Sequence, residues 1–137
     1  MISENYLIGG GPNRSGGGIM LGDNMGNWQV AQNNTCINVG QYGIAIAGGH
    51  NNSIRNNVVM GRAEPWSNVG VYVWGVPQRG SEVSQATVEH NEVSWMNSKN
   101  KSNGWWLGSN VVNTTIRANN FEARYTVPEK AANIGAP

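Results

Sequence analysis

The chain has 137 residues, which is enough for one domain, and charged residues make up only 12% of it. The formal net charge of +1 provides no field that would attract nucleic acid or an acidic membrane, so neither is expected as a partner. No apolar run is long enough to span a bilayer, and Met1 leads into patterned sequence without the shape of a signal peptide. The sequence therefore predicts no particular cellular compartment.

One short element recurs along the chain and reads apolar-x-x-Asn-x-apolar. It begins at Ile2, Ile54, Val88 and Ile116, with a weaker copy at Val30. Its asparagines are Asn5, Asn33, Asn57, Asn91 and Asn119, separated by 28, 24, 34 and 28 residues. The element is too short for a helix and alternates with a period of two, so it predicts β-strands.

A second element reads Gly-apolar-x-apolar and occupies residues 18–21, 43–46, 70–73 and 104–107. The two elements alternate along the chain, and residues 131–135 resemble the start of a fifth copy of the first. Short tandem strands at this period, without a helical segment, predict stacked coils, because a propeller blade needs more residues per repeat. We expect a single domain over residues 1–137 that is open at both ends.

The pattern of Asn57, then Gly70-Val71-Tyr72-Val73, then the next strand resembles the parallel β-helix repeat of the pectate-lyase-like superfamily. The resemblance covers nearly the whole chain. It implies an all-β fold, a right-handed single-stranded parallel β-helix of about four to five coils. The superfamily includes polysaccharide lyases, hydrolases, epimerases and phage tailspikes, so the resemblance predicts a fold and leaves the function open.

In such a stack, equivalent residues lie about 4.8 Å apart. The core is expected to contain Leu7, Ile19, Leu21, Ile44, Ile46, Val59, Val71, Val73, Val93, Trp105, Leu107 and Phe121. The asparagine column predicts a sharp bend with a residue at positive φ and a ladder of amide hydrogen bonds. A polar binding groove is the functional alternative for that column.

A charged column is predicted two residues before the asparagines, where Arg55, Glu89 and Arg117 share one position. Stacked opposite charges favour this register over a slipped one. A catalytic Arg–Glu pair is the alternative interpretation.

Outward positions of the Gly-led strands carry Met20, Ala45, Tyr72 and Trp106, and Trp74 lies two residues beyond Tyr72. We predict that Met20, Tyr72, Trp74 and Trp106 form a flat ligand-binding face, because exposed apolar patches of this kind mark contact sites. Sugar rings stack on such surfaces, so a saccharide is the expected ligand. Loops 61–69 and 75–86 could instead cover the rings, or the face could join subunits.

Candidate catalytic groups are sparse. Asp23 is the only Asp, and Glu92 with Glu122 is the one carboxylate pair that the repeat could bring near each other, with solvated surface as the simpler interpretation. The resemblance implies clustered Asp residues for hydrolysis, or calcium-binding Asp residues for a lyase, and the chain has neither. His50 and His90 lie at different phases of the repeat without a third ligand. No catalytic residue, metal site or cofactor is predicted.

The first functional hypothesis is a non-catalytic binding module that recognises a saccharide. A polysaccharide lyase or hydrolase, or a fragment of one, is the second, and a structural assembly protein such as a phage spike segment is the third. Open ends would expose unpaired backbone, so the chain either is a piece of a longer β-helix or forms oligomers. A homo-oligomer is expected, held by the aromatic face or by end-to-end stacking.

Overall fold

The computed structural model describes residues 1–9 and 16–125, and the fifth repeat predicted at residues 131–135 lies outside these ranges. The described residues form 16 short strands and two 3-10 turns, at Asp23–Met25 and Pro77–Arg79, without an α-helix. No helix within these ranges is long and apolar enough to cross a membrane.

The strands form four sheets in which every pairing between strands is parallel. The first sheet contains β1 (Ile2–Ser3), β4 (Val30–Gln32), β8 (Ser53–Arg55), β12 (Thr87–Glu89) and β16 (Thr115–Arg117). The second contains β2 (Tyr6–Ile8), β5 (Thr35–Ile37), β9 (Val58–Gly61) and β13 (Glu92–Trp95). The third contains β3 (Gly17–Leu21), β6 (Tyr42–Ile46), β10 (Val69–Val73) and β14 (Trp105–Leu107), and the fourth contains β7 (Gly49–His50), β11 (Val83–Ser84) and β15 (Val111–Val112).

Each strand pairs with the equivalent strand of the next repeat. In the first sheet one column of paired residues runs through Ile2, Ala31, Ile54, Val88 and Ile116. The chain visits the sheets in order and returns to the first, so residues one repeat apart in sequence become neighbours in space. The fold is therefore all-β and built from parallel sheets.

The core is formed by inward residues of the four sheets. Among the predicted core residues, those buried are Ile19, Leu21, Ile44, Ile46, Val59, Val71, Val73 and Val93. Leu7, Trp105 and Phe121 are partly buried against them. The prediction was wrong for Leu107, which is 48% exposed. Leu107 pairs with Val73 on one side only, because β14 is the last strand of its sheet in the described part of the chain.

Glycines at the start of the third-sheet strands allow the second and third sheets to approach each other. A Cβ on Gly43 would collide with Val59 Cγ1, and a Cβ on Gly70 would collide with Val93 Cγ1. Both valines are fully buried, so a larger residue would have to displace the core. This close approach explains why Gly leads the second sequence element.

An asparagine ladder connects the repeats at the bend between the first and second sheets. In each step the backbone N–H and the side-chain Nδ2 of one asparagine donate to Oδ1 of the next. The donor-to-acceptor distances are 2.8–3.1 Å along the series Asn5, Asn34, Asn57, Asn91 and Asn119. Asn34, Asn57 and Asn91 are buried, and their amides are satisfied by this ladder and by backbone carbonyls.

The prediction that Asn33 belongs to this ladder was wrong. Ile54 lies three residues before the ladder asparagine Asn57, and it pairs with Ala31 rather than with Val30. The residue three positions after Ala31 is Asn34, which therefore occupies the ladder position. Asn33 is exposed and has φ +55°. The residue before each ladder asparagine has positive φ in all five repeats, and these residues are Glu4, Asn33, Asn56, His90 and Ala118. This left-handed residue makes the bend that turns the next side chain inward.

The charged column lies beside the ladder, where Glu89 pairs in register with Arg55 and Arg117. Arg117 Nε donates to Glu89 Oε2 at 2.7 Å. This hydrogen bond lowers the pKa of Glu89, and the positive charges of Arg117 and Arg55 act in the same direction. The column therefore contributes a surface ion pair that favours the observed register.

We predict that Asn34→Ala lowers the free energy of unfolding by about 2–4 kcal/mol, because it leaves buried donors and acceptors without partners. Asn33→Gly should change it by less than about 0.5 kcal/mol, since Asn33 is exposed and Gly accepts positive φ. Urea unfolding measures both. Equal effects of the two substitutions would contradict the register of the ladder.

Glu89→Gln should make stability less dependent on pH. A carboxyl group whose pKa is lower in the folded state stabilises the fold above its unfolded-state pKa, and this contribution is lost as the pH falls through the folded-state pKa. The midpoint of urea unfolding should therefore fall more steeply toward acid pH in the unmodified protein than in Glu89→Gln. Glu82→Gln is the control, because Glu82 is exposed and forms no ion pair with any described residue. A Glu89→Gln profile as steep as that of the unmodified protein would disprove the role of the pair.

Candidate functional site: an aromatic face on the third sheet

The predicted aromatic face is assembled by the register of the third sheet. Trp106 pairs with Tyr72, Tyr72 with Ala45, and Ala45 with Met20. These four residues thus form one column across β14, β10, β6 and β3. Met20 lies two strands from Tyr72, with the fully buried Ala45 between them.

Four aromatic rings form a continuous array on this face, to which we refer as the aromatic array: Tyr42, Tyr72, Trp74 and Trp106. Ring centroids are 5.3 Å apart for Tyr42 and Tyr72, 5.9 Å for Tyr72 and Trp106, and 5.5 Å for Trp74 and Trp106. The interplanar angles are 82°, 52° and 56° in the same order. The prediction of a flat surface was therefore wrong, because the rings are tilted against one another as aromatic quadrupoles favour.

Two glycines make room for the outer rings of the array. A Cβ on Gly17 would collide with the ring of Tyr42, and one on Gly108 would collide with the indole of Trp74. Trp74 Nε1 also lies 3.3 Å from Ser109 Oγ, to which it donates. Gly108 and Ser109 lie outside residues 61–69 and 75–86, the two loops that were expected to cover the rings. Trp106 remains 44% exposed and provides the most accessible ring of the array.

An ion pair follows the carboxyl end of β3. Arg79 Nη1 lies 3.1 Å from Asp23 Oδ1, and both side chains are largely exposed. An exposed pair of this kind stabilises the fold little. Burial raises the pKa of Tyr42 and Tyr72, and the negative charge of the Asp23 carboxylate adds to that effect.

Burial is the main cause of the shifted tyrosine pKa values. It raises the pKa of Tyr72 to about 12, with smaller contributions from Tyr42 and Asp23. The pKa of Tyr42 is raised for the same reason. A tyrosine hydroxyl is protonated at neutral pH with or without this shift, so the hydroxyls of Tyr42 and Tyr72 can act as hydrogen-bond donors.

A polar cleft of about 490 Å³ lies next to the array. Its wall includes Gln41 and Asn68, and these directly precede Tyr42 and Val69, which pair with each other in the third sheet. The wall consists of Gln41, Pro65, Trp66, Ser67, Asn68 and Ser98. Amide and hydroxyl groups around an indole form the kind of lining that binds a polyhydroxylated ligand.

The candidate catalytic groups lie outside the aromatic array. Asn120 Nδ2 donates to Glu92 Oε2 at 3.0 Å. Glu122 lines a pocket of about 590 Å³ whose wall does not include Glu92. His50 Nδ1 contacts Asn51 Oδ1 at 3.1 Å, and His90 lies exposed in the bend before the ladder. Across residues 1–9 and 16–125, no group of three or more His, Cys, Asp or Glu side chains could hold a metal ion.

Three contributors to this site were missed in the sequence. Tyr42 lies at the start of its strand, before the Gly-led element from which the outward column was predicted. Asp23 and Arg79 are 56 residues apart and meet because the two 3-10 turns follow β3 and β10, which lie on either side of β6 in the third sheet. Only the position of Tyr42, directly before Gly43, could have indicated its role.

No protein-family model, curated protein or solved structure matches this chain.

The raised pKa of Tyr72 predicts a loss of stability at alkaline pH. The unfolded chain releases this proton near pH 10 and the folded chain near pH 12, so the free energy of unfolding should fall between these values. Tyr72→Phe should lose less stability over the same interval, as measured by urea unfolding followed by circular dichroism. Identical slopes for the two proteins would show that Tyr72 titrates normally in the fold.

Proposed function

We propose that the chain is a right-handed single-stranded parallel β-helix of about four to five coils that acts as a non-catalytic saccharide-binding module. The proposal for the fold is supported by the parallel pairing of each strand with its equivalent one repeat later. Right-handedness follows from the strong preference of parallel crossover connections for that hand.

The aromatic array carries the proposal for function. Tyr72 and Trp74 each contact the ring of Trp106 on one outer face, and Trp106 is exposed. Sugar rings present apolar C–H faces that pack on indole and phenol rings, while their hydroxyls need polar partners. Tyrosine hydroxyls and the polar cleft beside Gln41 provide such partners.

The tilt of the rings favours a bent or branched chain over a flat one. Neighbouring sugar units would contact rings inclined to one another by 52° to 56° at Tyr72, Trp74 and Trp106. A chain with flat, coplanar sugar faces, as in crystalline polysaccharides, would reach one ring at a time. We therefore expect soluble oligosaccharides to bind better than crystalline surfaces.

The enzymatic alternative has weaker support because no pair of carboxylates is built into the face. Self-association through the same rings is the competing role for the array, since exposed aromatic residues also mark interfaces between subunits. The two roles can be distinguished experimentally. Self-association through the array would raise the molecular mass of the protein in solution, whereas saccharide binding would not change its oligomeric state.

The test is binding to a panel of soluble glycans, measured with the unmodified protein and with Trp106→Ala. Trp106→Ala should weaken binding about tenfold or more, since truncating a central aromatic residue typically costs about 2 kcal/mol and about 1.4 kcal/mol corresponds to a factor of ten. Trp106 lies outside the core, so the fold should persist.

Trp28→Ala is the matched control. Trp28 is 70% exposed, more than Trp106, and among the described residues its ring pairs with the imidazole of His50 and with no ring of the array. Binding should survive this substitution if the array is the site. Absence of binding to every glycan, or equal losses in the two variants, would disprove the proposal. A fall in molecular mass in Trp106→Ala alone would assign the array to a subunit interface.

A further inference from the structure

Asn103 is followed by Gly104, and no other asparagine of the sequence is followed by glycine. The pair lies on the segment that connects β13 to β14. The side-chain amide of an asparagine can be attacked by the backbone nitrogen of the next residue, and a side chain on that residue hinders the attack. Glycine has no side chain and the greatest backbone freedom, so this reaction is easiest at an Asn-Gly pair.

The fold leaves both reacting groups accessible. Among the described residues, no acceptor contacts the backbone N–H of Gly104. Asn103 is partly exposed, and its Nδ2 donates to the carbonyl oxygen of Asn68 at 2.8 Å in a bond that faces solvent. Water can therefore reach the amide. The fold also requires the glycine, because a Cβ on Gly104 would collide with the carbonyl oxygen of Phe121.

The backbone of the same pair joins the start of β14 to β10. The N–H of Gly70 donates to the carbonyl oxygen of Asn103 at 3.0 Å, and the N–H of Val71 donates to that of Gly104 at 2.9 Å. Trp106 lies two residues beyond Gly104 and pairs with Tyr72 on β10. A chemical change at Asn103 therefore acts on the strand that carries the most exposed ring of the aromatic array.

We propose that Asn103 is a site of spontaneous deamidation that weakens the attachment of β14. The Gly104 nitrogen forms a bond to Asn103 Cγ and releases its proton, and Nδ2 leaves with that proton as ammonia. Water then opens the cyclic imide at either carbonyl, which gives aspartate or isoaspartate at position 103.

Each product disturbs contacts that the asparagine makes. Aspartate places a carboxylate, which only accepts, against the carbonyl oxygen of Asn68. Isoaspartate lengthens the backbone by a methylene group between positions 103 and 104, which displaces the acceptors of the Gly70 and Val71 N–H groups. Hydrogen bonds are lost in both cases, so the start of β14 is held less firmly. This inference does not depend on saccharide binding.

The test is peptide mapping by mass spectrometry while the folded protein is incubated in alkaline buffer, because base promotes attack by the backbone nitrogen. Asn103 should lose its amide before any other asparagine. Asn100 is the control within the same molecule, since it is more exposed but is followed by Lys101. Faster loss at Asn100 would overturn the proposal. So would an Asn103 amide that is lost in urea but retained in the folded protein, because the fold would then protect the pair.

Two variants measure the effect on the fold. Asn103→Asp reproduces one product and should shift urea unfolding to a lower midpoint. Asn100→Asp adds the same charge on the same segment, where the side chain makes no hydrogen bond to a described residue, and should leave the midpoint unchanged. In the incubated protein, hydrogen exchange at Gly70 and Val71 should become faster. Unchanged exchange there, together with equal midpoints of the two variants, would disprove the weakening of β14.

Discussion

Hydrogen bonds between equivalent asparagines of successive repeats hold the register on which the other features depend. Asn34, Asn57 and Asn91 are buried, and each is bonded to the repeat before it and the repeat after it. A shift of one residue would turn every inward side chain outward and leave these amides unpaired. The ladder thus opposes slippage more strongly than apolar packing alone, because apolar residues of similar size can exchange places at smaller cost.

The same register determines what each side of the third sheet presents. Inward positions such as Val71 and Val73 pack in the core, and the intervening Tyr72 joins Trp106 outside. Glycine at the start of each strand brings the second and third sheets close together, so side chains fill the interior. A ligand therefore has to bind on the outer surface, where the aromatic array and the adjoining cleft lie.

The sequence predicted strands, parallel neighbours and most of the core because two short elements kept phase over four repeats. It failed at Asn33 because Gln32-Asn33-Asn34 offers two asparagines, and only the pairing of Ala31 with Ile54 decides between them. It failed at Leu107 because alternation indicates which way a side chain points but not whether another strand covers it. Ring tilt and the Asp23–Arg79 contact depend on tertiary packing, which a pattern of residues does not contain.

The spacing between ladder asparagines varies from 23 residues, between Asn34 and Asn57, to 34 residues, between Asn57 and Asn91, yet the connecting hydrogen bonds remain at 2.9–3.0 Å. The surplus residues leave the stack between strands, as in the segment from Arg62 to Asn68 that follows β9. Insertions and deletions at these points can accumulate without disturbing the scaffold. The architecture thereby separates the residues that hold the register from the loop residues between strands, whose number can vary.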